Sequence, residues 1–241
     1  MRYIPIAACL IALPFIASAG AWPRGAGHAF LSVAYEGTAR KDALDQDRLQ
    51  ETEGEVETFS YSAIYGEFGV SDRVTLGIDI GTEGERFTQS NIVFASVSVG
   101  PADWRHQFAL ELGVGNREIP TFGLQRGETE TVFRPGLSWG YGFDSRVGPG
   151  WAALDLRQEI RQTTDETALK ADLTVGVTPD DKWQYFVQFQ GNHYPHEDPK
   201  LRIVPTAVRH YTDWLALESA LLVETHGGNQ LGARIGLWFT F

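Results

Sequence analysis

From residue 28 to its end the chain alternates apolar and polar side chains with a period of two. "TALKADLTVGV" sets Leu169, Ala171, Leu173, Val175 and Val177 against Lys170, Asp172, Thr174 and Gly176. "WAALDLRQEIR" sets Ala152, Leu154, Leu156 and Ile160 against Asp155, Arg157, Glu159 and Arg161, and "FALELGV" sets Phe108, Leu110, Leu112 and Val114 against Glu111 and Gly113. The tail continues the pattern, with Leu231, Ala233, Ile235, Leu237, Phe239 and Phe241 against Gly232, Arg234, Gly236, Trp238 and Thr240. Successive side chains of a strand point to opposite faces, so each stretch predicts a strand with one apolar face. The pattern predicts twelve strands: 28–38, 55–67, 73–82, 90–99, 105–115, 129–142, 150–162, 167–178, 183–193, 201–211, 213–224 and 229–241. It is least regular over 90–99 and 201–211, which leaves the count open by two, and no helical period of useful length occurs.

These stretches run about 10–13 residues, whereas strands of globular proteins peak near five or six. A strand tilted across a bilayer needs roughly 9–11. Lipid offers no partner to the unpaired groups of a sheet edge, so membrane-crossing strands must close on themselves. The predicted fold class is therefore all-β: a transmembrane antiparallel up-and-down β-barrel of about 12 strands. In such barrels periplasmic turns are short and extracellular loops longer. With the N-terminus periplasmic, the outer connections include "KDALDQDRLQETEG", "TEGERFTQ", "NREIPTFGLQRGE" and "PHEDPK", and the inner ones "GVSD", "GPADW", "TPDD" and a brief join near Thr212. "DSRVGPG" is not especially short for an inner turn, and "TTDE" is not long for an outer loop.

Aromatic residues collect at one end of this arrangement. Tyr65, Phe68, Trp104, Tyr141, Phe143, Trp151, Trp183, Tyr211, Trp214, Trp238 and Phe241 all fall on the predicted periplasmic side, with Trp22 at the entry to the barrel and Trp139 one pleat inward. Trp and Tyr are enriched where a barrel meets the membrane interface. Aromatics of a soluble β-sandwich or lipocalin-like barrel, the competing architecture, have no reason to gather at one end.

The N-terminus changes the picture of compartment. Arg2 precedes the apolar run "YIPIAACLIALPFIA" and the small residues "ASAGA", the form of a secretory signal peptide. The expected organisation is a signal peptide over 1–19, cleaved after Ala19 or Ala21, and one barrel domain over 20–241 without a separate plug. Cys9 lies in the signal, so the mature chain has neither disulfide nor thiolate metal site. Removing Arg2 leaves 19 basic residues against 31 acidic ones, a net charge of −12. That sign argues against nucleic-acid binding. Mean hydropathy is −0.20, and no run of 18 apolar residues follows the signal.

The last strand with its terminal aromatic, carried by Leu237, Phe239 and Phe241, resembles that of Gram-negative outer-membrane β-barrel proteins. The resemblance implies that these residues form an insertion signal read by the barrel-assembly machinery. A further likeness, confined to "AWPRGAGHAFLSVAYE" at 21–36, is to the transporter-like barrels of the phenol-degradation MetA-pathway family. It implies passage of small, apolar or aromatic compounds.

Candidate chemistry lies on the polar faces. Alternation sends Asp79, Glu111, Arg134, Asp155, Arg157, Glu159, Arg161, Lys170, Asp172, Glu218 and Arg234 into the lumen, because an Arg or Lys facing lipid at mid-bilayer costs about 2–4 kcal/mol. Two outcomes are open: a constriction of opposed charges that selects ionic solutes, or a salt-bridged interior that satisfies its own charges. The inner half carries small groups, Gly136, Ser138, Gly140, Gly142, Thr174, Gly176, Gly232 and Gly236, which leave room for water or for close packing. Asp42, Asp45, Asp47, Glu51, Glu53, Glu55 and Glu57 make an acidic first loop that could hold divalent cations bridging lipopolysaccharide, or be merely solvated. "DALDQD" lacks the glycine and later glutamate of an EF-hand. None of His28, His106, His193, His196, His210 and His226 stands in the His-x-Ser-Asn-Gly context of the outer-membrane phospholipases. "GNHYPHEDP" brings His193, His196, Glu197 and Asp198 together without a nearby serine, so no catalytic residue, metal ligand or cofactor is assigned. The expected function is an outer-membrane channel or transporter for small solutes, in contact with outer-membrane lipid and lipopolysaccharide. The rivals are a sealed structural or adhesive barrel, a lipid-modifying enzyme and a soluble periplasmic β-protein.

Overall fold

A computed structural model describes residues 20–44, 58–84, 90–119 and 128–241. The proposed signal peptide, and all of the acidic first loop except Asp42, lie outside the described residues. Twelve strands follow one another: β1 (Ala29–Arg40), β2 (Thr58–Gly69), β3 (Val74–Glu83), β4 (Ser90–Val99), β5 (His106–Glu118), β6 (Thr129–Ser145), β7 (Gly148–Arg161), β8 (Thr167–Val177), β9 (Trp183–His193), β10 (Lys200–His210), β11 (Leu215–His226) and β12 (Gln230–Thr240). Each pairs antiparallel with its sequence neighbours, and β1 pairs with β12, so the sheet closes into a barrel. All twelve predicted strands are present, including the two irregular ones.

The closing seam runs from Phe30 opposite Thr240 to Arg40 opposite Gln230. Both ends of the strand sequence therefore lie at one rim, called here the turn end. Its connections are 70–73, 100–105, 146–147, 178–182 and 211–214. The segment "DSRVGPG" differs from expectation. β6 and β7 continue through it until Ser145 faces Gly148, which leaves a two-residue hairpin turn. Gly148 accepts this with φ of 134°, a conformation that glycine reaches at no steric cost.

Burial follows the alternation. Along β5, Leu110 is 57 % exposed while its neighbour Glu111 is 6 % exposed, the inverse of a soluble protein. The outward faces carry exposed Val33, Ile78, Val93, Leu112, Leu137, Leu173 and Leu221, an apolar band such as lipid requires. Outward aromatics ring the turn end: Trp139, Tyr141 and Phe143 stack in series with His106, Trp183 stacks on Tyr185, and Trp214 on Phe239. Arg209 lies over both Trp183 and Tyr211.

Three of the aromatics expected in this belt turn inward instead. Tyr65, Trp151 and Trp238 share the parity of the buried faces, and Phe30, Val208, Ala216 and Trp238 form a core inside the barrel with Tyr65 and Phe186 against it. The inward glycines supply the room. A Cβ on Gly176 would lie 2.3 Å from the Trp151 ring, so the space left by that glycine is filled by an aromatic side chain.

Candidate functional site

The interior of the barrel divides into ion-paired clusters on facing walls. On one wall, Arg134 of β6 bonds Asp79 of β3 at 2.5 Å and lies 3.3 Å from Glu111 of β5. Arg157 of β7 bonds both oxygens of Glu111, at 3.1 and 3.3 Å. On the other wall, Glu36 of β1 takes Arg202 of β10 at 2.9 Å and also pairs with Arg234 of β12. Arg234 reaches Glu218 of β11 at 3.3 Å, and Glu218 accepts the Trp238 indole N–H at 2.8 Å. Towards the loop end, Glu159 binds Lys170 at 2.7 Å and Arg117 at 3.2 Å, while Arg161 binds Glu166 at 2.8 Å and Glu130 at 3.7 Å. Tyr194 sits under the guanidinium groups of Arg117 and Arg161.

All eleven charged residues singled out from the sequence have inward parity. Arg134 and Glu159, each only 2 % exposed, are the most enclosed of them. The pairing brings together Asp79, Glu111, Arg134 and Arg157 as one group, Glu218 and Arg234 as a second, and Glu159 and Lys170 as a third. Asp155 and Asp172 face each other across β7 and β8. Glu36, Glu67, Arg117, Glu130 and Arg202 belong to the same lining and escaped the sequence reading. Each cluster holds both signs, so charge does not segregate to opposite walls. Transverse-field selection by opposed charges is therefore not what this geometry builds.

The turn end of the bore is occupied by the chain's own N-terminal segment. Ala21 is fully buried. A Cβ on Gly140 would lie 2.4 Å from the Trp22 ring and 2.9 Å from Ala21 Cβ, so both residues lie on the inner face of β6. Arg24 then pairs with Glu67 of β2, holds its guanidinium 4.5 Å from the Phe30 ring centre, and donates its backbone N–H to Thr75 Oγ1 at 3.2 Å. Gly27 N–H bonds the Gly69 carbonyl at 2.8 Å, and β1 begins at Ala29. In the ring of twelve, β7 lies six strands from β1, diametrically across. Residues 20–28 thus span the bore from wall to wall. The sequence led to no separate plug domain being expected, and the nine residues 20–28 span the bore without one.

Other candidate chemistry stays apart from this lining. Leu237 and Phe241 are exposed and Phe239 shares their outward face. His193 is exposed at the end of β9, and His196 occupies the following turn with φ of 62°. Among the described residues no group of three or more His, Cys, Asp or Glu is placed to hold a metal ion.

No protein-family model and no curated protein matches this chain. Similarity to solved structures is in the fold. The KdgM porin in complex with disordered oligogalacturonate aligns with a TM-score of 0.54 and 10 % identity, over 87 % of this chain and 99 % of that one. The NanC porin gives 0.54 and 11 % over 86 % and 98 %, and the COG4313 outer membrane channel from Pseudomonas putida F1 gives 0.54 and 11 % over 93 % and 99 %. The chain has the architecture of outer-membrane β-barrels.

Proposed function

We propose that this protein is an outer-membrane channel that passes small solutes through its charged, narrow bore and rests closed by its own N-terminal segment. The observation that carries the proposal is an ion-paired interior inside a closed barrel with an apolar outer face. Apolar residues of similar volume in place of buried ion pairs are often neutral or stabilising, so stability alone does not account for such a lining. A hydrated path for polar solutes does. Porins and a channel of the same architecture support the assignment by fold, and the signal peptide, the insertion signal at Leu237, Phe239 and Phe241, and contact with lipopolysaccharide at the loop end belong to the same proposal.

Planar-bilayer recording on the refolded mature chain, with and without residues 20–24 and under a salt gradient, tests it. Discrete openings that become larger or more frequent in the shortened chain support a channel closed by its N-terminus. Silence from both proteins, each folded and inserted, overturns it. That outcome favours a second reading, a sealed scaffold acting through its loops, for which the buried Ala21 and the inward cluster of Phe30, Trp238 and Phe186 already speak.

A further inference from the structure

One carboxylate pair in the bore has no counter-charge in close contact. Asp155 is buried and accepts a hydrogen bond from Ser138 Oγ at 2.5 Å, but its nearest cation, Arg157 Nη2, stands 4.0 Å away. That guanidinium is already held by both oxygens of Glu111. Asp172, its partner across the ladder, feels the charges of Arg157, Lys170, Arg202 and Arg234 but makes no close ion pair or hydrogen bond among the described residues, since Lys170 beside it is taken by Glu159. Like charges directly opposite on adjacent strands destabilise a sheet, and a buried carboxylate whose counter-charges stand off costs more again. Most other carboxylates of the lining are closer to a cation: Glu36, Glu67, Glu111, Glu159 and Glu218 each have one within 3.3 Å, and Glu130 has one at 3.7 Å.

The atom group beside Asp155 is the backbone of Gly20. A Cβ on Gly20 would stand 1.9 Å from Asp155 Oδ1 and 2.8 Å from Ser138 Oγ, and the φ of 95° also excludes ordinary side chains. Standard bond lengths then hold the Gly20 nitrogen within about 5 Å of that carboxylate oxygen. In the uncleaved chain this nitrogen is an uncharged peptide N–H. "ASA" at 17–19 is an Ala-x-Ala cleavage site, and cleavage after Ala19 makes Gly20 the first residue, with a free α-ammonium.

We infer that the α-ammonium of Gly20, released by cleavage after Ala19, docks on Asp155 and Asp172 and latches the N-terminal segment across the bore. The inference rests on the plug described above and deepens the proposed closed state. Signal-peptide removal then does two things: it frees the chain and creates the charge that seats the plug. Cleavage after Ala21 would start the chain at Trp22 and leave the two aspartates without that ammonium.

The test is the mass and reactivity of that amine in protein purified from outer membranes. Intact mass is expected to give Gly20 as the first residue. Acetylation near neutral pH needs the uncharged amine, and an opposite charge within about 4–6 Å favours the protonated form. Labelling of the folded wild type should therefore be slower, by about tenfold or more, than that of the Asp155→Asn/Asp172→Asn double variant. If the double variant does not fold, Gly20→Ala replaces it, because its Cβ cannot occupy this place and the amine must leave. A mature chain beginning at Trp22, or wild-type labelling as fast as that of the variant, overturns the latch. Labelling does not depend on conduction: a silent barrel with a protected amine counts against the channel alone, and a conducting barrel with a reactive amine counts against the latch alone.

Discussion

Arg157 grips both carboxylate oxygens of Glu111, at 3.1 and 3.3 Å, across the strand that separates them. The residue between them in register is Gly136, where a Cβ would stand 3.1 Å from Glu111 Cβ and 3.3 Å from Arg157 Cγ. Glycine lets the two side chains close over β6 without a third in the way. Stranding a buried charge costs about 3–5 kcal/mol. Without Arg157, Glu111 keeps Arg134 at 3.3 Å but loses its bidentate partner, and Asp155 loses its nearest cation, so the cost falls below that range. Arg157→Ala is therefore expected to lower the urea midpoint of the refolded barrel clearly, while Arg105→Ala, whose partner Asp144 is 3.7 Å away at the surface, should cost about 0–1 kcal/mol. In a conducting barrel Arg157→Ala also removes a positive charge from the path, so the reversal potential in a salt gradient should move towards cation selectivity. An unchanged reversal potential in a folded variant would mean that ions do not pass Arg157.

Trp22 fills the space that Gly140 leaves open on the inner face of β6. Trp22→Ala empties it without touching the wall, and Arg24→Ala removes the ion pair to Glu67 at the other side of the bore. Both variants should raise conductance or open probability in planar bilayers, and the double variant should approach the chain lacking residues 20–24. Wild-type behaviour in all three would mean that this segment does not limit the path.

The fold was legible because one physical pattern, period-two alternation against an apolar solvent, runs through most of the strands. Only detail at the ends was lost. Gly148 and Pro149 look like loop residues, yet the strands continue through them to a two-residue turn. The lining was partly legible. Glu36 shares parity with Phe30, Ser32 and Ala34, and strict counting from Leu31, Val33 and Tyr35 would have sent it inward. Arg202 was harder to assign. Its neighbours on the inward face are Val204, Thr206 and Val208, and two of these are fully buried valines, so both faces of β10 are apolar and polarity does not separate them. The same cause hid the inward Trp151 and Trp238. At the turn end the bore is packed with aromatics, and an inward Trp has the same sequence signature as one in the interfacial belt. Trp22 has no period to betray it, because residues 20–28 are not a strand.

Leu110 lies midway along β5, exposed on the outer face and flanked in register by Val97 and Leu137. If lipid covers that face, Leu110→Arg places a charge near the bilayer midplane and should destabilise the barrel in liposomes by about 2–4 kcal/mol. If water covers it, the substitution should be close to neutral. Unfolding titrations of the two proteins in the same vesicles decide the matter, and equal midpoints would reopen the soluble-barrel reading.

Phe241 closes the seam. Its N–H bonds the Ala29 carbonyl and its carbonyl accepts the Ala29 N–H, both at 3.0 Å, while the residue is 66 % exposed on the outer face with Leu237. Two different roles predict two different failures when Phe241 is deleted. As a structural clasp it contributes two peripheral hydrogen bonds, about 0.5–1.5 kcal/mol each, and the shortened chain should refold in detergent with a modestly lowered midpoint. As a recognition element it adds nothing to refolding in vitro, but the level of folded protein in the outer membrane of cells should fall sharply. Measuring both in parallel separates the roles: near-normal refolding with low cellular assembly supports recognition by the assembly machinery, and normal levels in the outer membrane remove that role from Phe241.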